Sequence, residues 1–207
     1  MDLIFDVGAN VGNFTDRCLE LYPNCKVISV EPNIELYNKL KKKFFNKNVV
    51  IIEDLVSTES NKKIQFHISN ADTISTASID WINNSRFSNN YKWNSTIVKN
   101  TISLDDLVIN HKTPDLIKID VEGYELEVIK GLSNKQKEIC FEWAEEQYVN
   151  INKTCEHLKS IGYTDFGVIY GDEYLKKPEI YTSWEECEIH NDIDINRKDK
   201  WGMIWVK

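Results

Sequence analysis

Apolar residues along this chain fall into short runs that stop at acids. Leu3, Ile4 and Phe5 lead to Asp6, and Val27, Ile28 and Val30 lead to Glu31. Val49, Val50, Ile51 and Ile52 lead to Glu53 and Asp54, and Leu116, Ile117 and Ile119 to Asp120. A further run over 137–143 carries Glu142 near its end. Such runs predict strands buried on both faces, as in a parallel sheet. Between them the apolar spacing lengthens to the helical period. Phe14, Cys18, Leu19 and Tyr22 predict a helix over 15–22 that stops near Pro23, and Leu36, Leu40 and Phe44 predict one over 34–45. Helices are also expected at 103–107, 124–131 and 154–161. Alternation over 63–68 predicts an exposed or edge strand, and 166–170 and 201–206 predict two final strands around a poorly patterned polar segment. Strands alternating with helices mean a parallel α/β sheet, and the long return before the last strand implies that one strand runs antiparallel. Residues 69–95 interrupt the pattern. They are rich in Asn and Ser, with Trp81, Arg86, Phe87, Tyr91 and Trp93 interspersed.

Composition narrows the picture. A chain of 207 residues predicts one domain over 1–207 with a single sizeable core. The net charge of −8 and pI of about 5.1 argue against a nucleic-acid partner. The lysines at 39 and 41–43 read as the solvated face of a helix. No apolar run approaches the roughly 20 residues of a membrane span, so no membrane partner is expected. No secretion leader is readable, which predicts a cytoplasmic protein. Five cysteines, odd in number and without a C-x-x-C pair, predict reduced thiols. The three Asn-x-Thr sequons at Asn13, Asn94 and Asn152 are read as unused.

In a parallel α/β sheet, ligands sit at the carboxyl ends of the strands. Here those ends carry Asp6 with its glycine turn, Glu31, Glu53-Asp54, Asp120-Val121-Glu122 and Glu142. Gly8 and Gly12 let backbone approach a ligand, with amides of the next helix facing an anion. The turn lacks the G-x-G-x-x-G spacing of a dinucleotide site. Asp6 ahead of Gly8 suits a ligand that carries an ammonium, a carboxylate and a ribose but no phosphate, which is the description of S-adenosylmethionine. Glu31 is then placed for the ribose hydroxyls, and Asp54, Leu55 and Val56 for the adenine.

The blocks FDVGANVGNFT, VEPN, SLDDL and DLIKIDVEGYELEVIKG, in this order, resemble the FkbM-type family of S-adenosylmethionine-dependent methyltransferases. The last block is the most specific, and the resemblance covers about 3–142. It implies the Rossmann-like class I methyltransferase fold, a doubly wound, mostly parallel seven-stranded sheet with one antiparallel strand near the C-terminus. It also implies an O-methyltransferase of a sugar or polyketide hydroxyl. The expected cofactor contacts are Asp6, Gly8, Ala9, Asn10, Gly12, Asn13, Phe14 and Thr15 in the first turn, Glu31, Pro32 and Asn33 in the second, Asp54 and Leu55 in the third, and Asp120. The chain lacks the segment that many relatives carry before the first strand, so it is expected to be a minimal enzyme or a domain of a longer protein. Its acceptor would then be held by the 69–95 insertion or by a partner.

Methyl transfer from a sulfonium is an in-line displacement. The protein supplies alignment and a group to take the acceptor's proton. Asp120, Glu122 and Glu142 are the expected catalytic acids. Asp120 is placed as base, with Asp120 and Glu142 as alternative ligands for Mg²⁺ or Mn²⁺. Lys118 is expected to neutralise these acids. None of the four histidines falls in a triad or ligand spacing, and His67 is the nearest to a base. The 69–95 insertion is expected to hold the acceptor, since aromatic faces suit sugar rings and Asn and Ser suit their hydroxyls. Residues 170–184 are a weaker second candidate. The leading reading is thus methylation of a sugar or glycan hydroxyl. Methylation of a polyketide-type small molecule and a non-catalytic cofactor-binding module are the alternatives. Amino-methylation of nucleic acid is excluded in its usual form, because the four prolines are never adjacent.

Overall fold

The computed structural model describes residues 1–194 and 198–207. The first half contains β1 (Leu3–Val7), α1 (Asn13–Leu21), β2 (Lys26–Val30), α2 (Ile34–Lys43), β3 (Val49–Ile52), β4 (Leu55–Val56), β5 (Lys63–Ser69), α3 (Ile79–Asn84) and β6 (Trp93–Ile102). The second half contains α4 (Leu104–His111), β7 (Leu116–Ile119), α5 (Glu125–Ile129), β8 (Ile139–Ala144), α6 (Tyr148–Ser160), β9 (Phe166–Tyr170), α7 (Ile189–Asp192) and β10 (Trp201–Val206). The main sheet has seven strands in the order β3-β2-β1-β7-β8-β10-β9. Every pairing in it is parallel except those of β10, which runs antiparallel to both β8 and β9. Strand order turns back on itself at β1, whose other neighbour is the parallel β7, so a crevice opens above the carboxyl ends of these two strands.

Successive strand residues face opposite ways, and two cores result. On one face Phe5, Val7, Ile28, Ile117, Phe141 and Ile204 pack against α4, α5, α6 and α7 through Leu104, Val128, Ile151, Leu158 and Ile189. On the other, Ile4, Val27, Leu116, Cys140, Met203 and Trp205 meet Phe14 and Cys18 of α1. At its β3 edge this face is covered by Leu40 and Phe44 of α2, which meet Val49 and Ile51, and at the opposite side by an irregular segment, with Leu175 and Tyr181 packed on it. All five cysteines are buried free thiols, as expected.

The interruption at 69–95 differs from expectation. It holds a 3-10 turn and α3 and runs into a ten-residue strand, β6, which pairs with β5 and β4 in a separate three-stranded sheet. Strand β6 escapes a sequence reading because it is largely solvent-facing: Asn94, Ser95, Thr96 and Val98 are exposed, so its outer positions carry no apolar alternation. Helix α6 starts at Tyr148, six residues before the expected position, and Gln147 ahead of it gives no side-chain cap to mark that start in the sequence. The segment before β10 is anchored to β8 by Glu145, whose carboxylate accepts from the amides of Asp194, Asp199 and Lys200. Residues 195–197 of the poorly patterned segment lie outside the described residues.

Arg86 ties the 69–95 segment to the main sheet. Its guanidinium and backbone amide donate to the nearly buried carboxylate of Glu146, with both carboxylate oxygens engaged at 2.9–3.1 Å. A buried, bidentate pair is costly to break from one side. Arg86→Ala should lower unfolding free energy by about 2–4 kcal/mol and open the 69–93 segment to limited proteolysis. Urea titration with cleavage mapping checks both.

Candidate functional site

The glycine turn after β1 is built by close approach. Gly8 lies at φ +77°, and a Cβ there would sit 1.8 Å from the carbonyl oxygen of Asp120, so no other residue lets the turn lie on the end of β7. The amides of Gly8 and Ala9 donate to Val30. Glu31 then joins two turns: one carboxylate oxygen accepts from the amide of Asn10 at 2.9 Å, the other from Asn33 at 2.8 Å. Burial pushes the Glu31 carboxyl up to about 7, against the pull of those two amides.

Beneath the turn lies Lys118. Its buried ammonium donates to the Gly8 carbonyl at 3.2 Å and pairs with Asp6 at 3.5 Å and Asp120 at 3.3 Å. Burial works against this charge, but Asp120, Asp6 and Asp172 outweigh it and hold the ammonium above its ordinary range. Asp6 is further fixed by the hydroxyl of Thr15, which also contacts Ser29.

A cavity of about 440 Å³ opens over these elements. Gly8, Ala9, Asn10, Asn13 and Phe14 line it at one side, Glu31 and Pro32 at the next, then Asp54, Leu55 and Val56, with Asp120, Glu122 and Glu142 across from them. The structure therefore brings these expected residues to one cavity. Four of the expected cofactor residues do not line it. Asp6, Thr15 and Asn33 are buried behind its wall, where Asn33 caps α2, and Gly12 packs against Leu40 and Phe44. From the 69–95 segment, Ile74, Ser75, Trp81, Arg86 and Phe87 reach the cavity, whereas Tyr91 and Trp93 do not. His67 sits away from it, bonded to Thr96 on the small sheet, and no histidine among the described residues lines it.

One carboxylate oxygen each of Asp120, Glu122 and Glu142 lies within 4.8 Å of the other two. Glu122 has φ +57°, a left-handed backbone rare for a side chain of its size. The turn that holds it is closed by Glu125, which accepts from the amides of Val121 and Gly123, and by the Thr76 hydroxyl on the Glu122 carbonyl at 2.7 Å. Burial, then neighbouring carboxylates, push Glu122 and Glu142 well above the ordinary carboxylate range, with Arg86 opposing. Three acids this close do not all ionise together.

Phe66 of β5, Trp201 of β10, Asp172 and Tyr174 also line the cavity from outside the motifs that drew attention to the site. Asp172 and Tyr174 arrive from beyond β9, within the 170–184 segment that is the second candidate. No periodicity marks them; the run Gly171-Asp172-Glu173 reads as an ordinary turn.

The sheet order, the glycine turn at its switch point and the acid after β2 define a class I S-adenosylmethionine-dependent methyltransferase fold. The same fold is found in fibrillarin of Aeropyrum pernix, solved with natively bound S-adenosyl-L-methionine. The two superpose with a TM-score of 0.53 at 11% identity, over 100% of this chain and 66% of that one. Residues 6–169 match the methyltransferase FkbM domain, and the chain belongs to that family. The hexuronic acid methyltransferase AglP of Haloferax volcanii is 27% identical over 143 residues, 68% of this chain and 54% of its own length. The chain thus spans about half the length of that curated relative.

Two outcomes follow from the buried charges. Lys118→Met leaves Asp6 and Asp120 without their cation and should cost about 3–5 kcal/mol of stability, read by chemical denaturation. Glu142 is raised above its ordinary value of 4.5, so its folded-state penalty is absent below pH 4.5 and sets in as pH rises and the group ionises. Glu142→Gln should therefore raise the melting temperature by about 2–4 °C at pH 8 and leave it unchanged at pH 4. Melting curves at both pH values check the sign.

Proposed function

We propose that the chain is an S-adenosylmethionine-dependent O-methyltransferase whose acceptor is a hydroxyl of a sugar or glycan. The observation that carries this reading is the union, in one cavity, of the Gly8 turn with Glu31 and the Asp120–Glu122–Glu142 cluster. Glu31 has each carboxylate oxygen held by one amide, which leaves lone pairs for two ribose hydroxyls. Among the described residues, six carboxylates and two cations, Lys118 and Arg86, line the cavity, and both of these cations are ion-paired. That balance favours a cationic sulfonium and an uncharged hydroxyl acceptor. Phe87 and Ile74 beside Ser75 and Arg86 give a mix of apolar and polar contacts that suits a sugar ring. A hexuronic acid methyltransferase among the relatives supports a sugar acceptor.

In this reading Asp120 takes the proton of the acceptor hydroxyl as the methyl group is displaced. Glu122 and Glu142, kept partly protonated by their environment, hold that proton within the cluster. The same donors fit a divalent cation. They are all oxygen, they converge, and Glu122 Oε2 is buried with no hydrogen-bond partner among the described residues. Mg²⁺ or Mn²⁺ held by Asp120, Glu122 and Glu142 would lower the pKa of a hydroxyl brought to it.

The test is a screen of neutral and uronic sugars and glycans with S-adenosylmethionine, read as the mass gain of one methyl transfer. Thermal stabilisation by NAD and not by S-adenosylmethionine would sink the proposal. Asp120→Asn should lower turnover by about 10²–10⁴-fold with cofactor binding retained. Activity lost to a chelator and restored by Mg²⁺ would assign the cluster to a cation; activity indifferent to chelation would leave Asp120 as the direct base.

A further inference from the structure

The irregular segment 171–181 is a strap. It leaves β9 where the Gly171 amide donates to Trp201 at 2.9 Å, and it returns where Phe166 and Thr182 exchange backbone hydrogen bonds. In between it crosses the sheet face that α1 leaves open. Leu175 packs there with Tyr181, and Lys177 pairs with Glu138 at 2.5 Å. Gly167 in β9 is what admits it: a Cβ there would lie 2.7 Å from both Pro178 and the Ile180 carbonyl. Tyr174 meets Phe14 edge to face, with ring centroids 6.1 Å apart. The strap is therefore pinned to the first turn of α1 as well as to the sheet.

This path carries the carboxylate of Asp172 to the wall of the cavity nearest the glycine turn, beside Lys118 and Asp120. Three carboxylates, Asp6, Asp120 and Asp172, share the field of one ammonium there. Asp6 and Asp120 are within ion-pair distance of Lys118. Asp172 makes no hydrogen bond or ion pair among the described residues and borders the cavity. The local charge balance thus leaves room for one more cation on the ligand side.

We propose that Asp172 is a cofactor-binding residue that receives the α-ammonium of the cofactor's methionine end, and that the strap closes this end of the site. The inference rests on the S-adenosylmethionine reading of the cavity. It assigns the recognition of the amino-acid tail to a residue outside the FDVGANVGNFT, VEPN and IDVEGYE blocks. Burial and Asp120 raise the Asp172 carboxyl to about 6 while Lys118 opposes them, so an arriving ammonium would meet a carboxylate that gains from its presence.

The probes are S-adenosylhomocysteine, which keeps the amino-acid tail, and 5′-methylthioadenosine, which lacks it. Both are titrated calorimetrically into the wild-type chain and Asp172→Asn. The expected result is a loss of about tenfold or more in S-adenosylhomocysteine affinity with methylthioadenosine affinity unchanged, the size of one charge-assisted hydrogen bond. Unchanged methylthioadenosine binding also shows that the variant is folded. Equal loss for both ligands would make Asp172 a structural residue and overturn the inference, as would undiminished S-adenosylhomocysteine binding. A wild-type chain that binds neither ligand would overturn the cofactor reading itself. Glu173→Gln, exposed on the same strap, should leave both affinities unchanged. A loss there equal to that of Asp172→Asn would mean surface charge is responsible and would also overturn the assignment.

Discussion

The buried ammonium of Lys118 is the interaction on which the rest of the site depends. It is reached by Asp6 from β1 and Asp120 from the end of β7, and it donates to the carbonyl of Gly8 in the turn between them. A cation taken out of water is costly unless it is matched, and here the match comes from the two strands that flank the switch point. One side chain thereby fixes the spacing of β1 against β7 above their hydrogen-bonded register. It also fixes the height of the glycine turn. Asp6 does not reach the cavity; it acts through Lys118, with Thr15 holding its other oxygen.

Around that centre the cavity is assembled from parts with different mechanical character. The floor consists of strand ends and tight turns cross-linked by backbone bonds to carboxylates: Glu31 joins the turns after β1 and β2, and Glu125 closes the turn after β7. These are short-range devices that leave little freedom, as a site that aligns two reactants requires. The walls are different. The 69–95 segment is held by Arg86 on Glu146, Thr76 on the Glu122 carbonyl and Gln147 on Asp80, and the irregular 171–181 strap by Leu175, Lys177 and Tyr174.

The acid cluster sets the electrostatic character of the site. Asp120, Glu122 and Glu142 converge from two adjacent strand ends, and the left-handed backbone at Glu122 keeps its carboxylate in the group. Such an arrangement is held against its own repulsion by the surrounding packing, and backbone strain of this kind concentrates at functional sites. Burial and the neighbouring carboxylates raise Glu122 and Glu142 well above an ordinary carboxylate, and groups perturbed in this way concentrate at functional sites.

Much of this was legible in the sequence. Runs that end in acids predicted the strands and their carboxyl-terminal ligand sites, because strand burial and turn chemistry are local properties of a few residues. The glycine turn, Glu31, Asp54 and the Asp120-Val121-Glu122 block followed from the same logic, and the structure lines one cavity with them. What the sequence left unread depends on long-range contact. Strand β6 is an exposed polar strand made regular by its partners, and Arg86 finds Glu146 sixty residues away. Asp172 and Tyr174 reach the glycine turn because a strap crosses a sheet face, which no periodicity encodes. The sequence by itself determined the sheet, its turns and the acids at the strand ends. Only the tertiary structure decided which of those acids meet, which stand behind the wall, and which distant residues complete it, since that depends on the path of the chain through space.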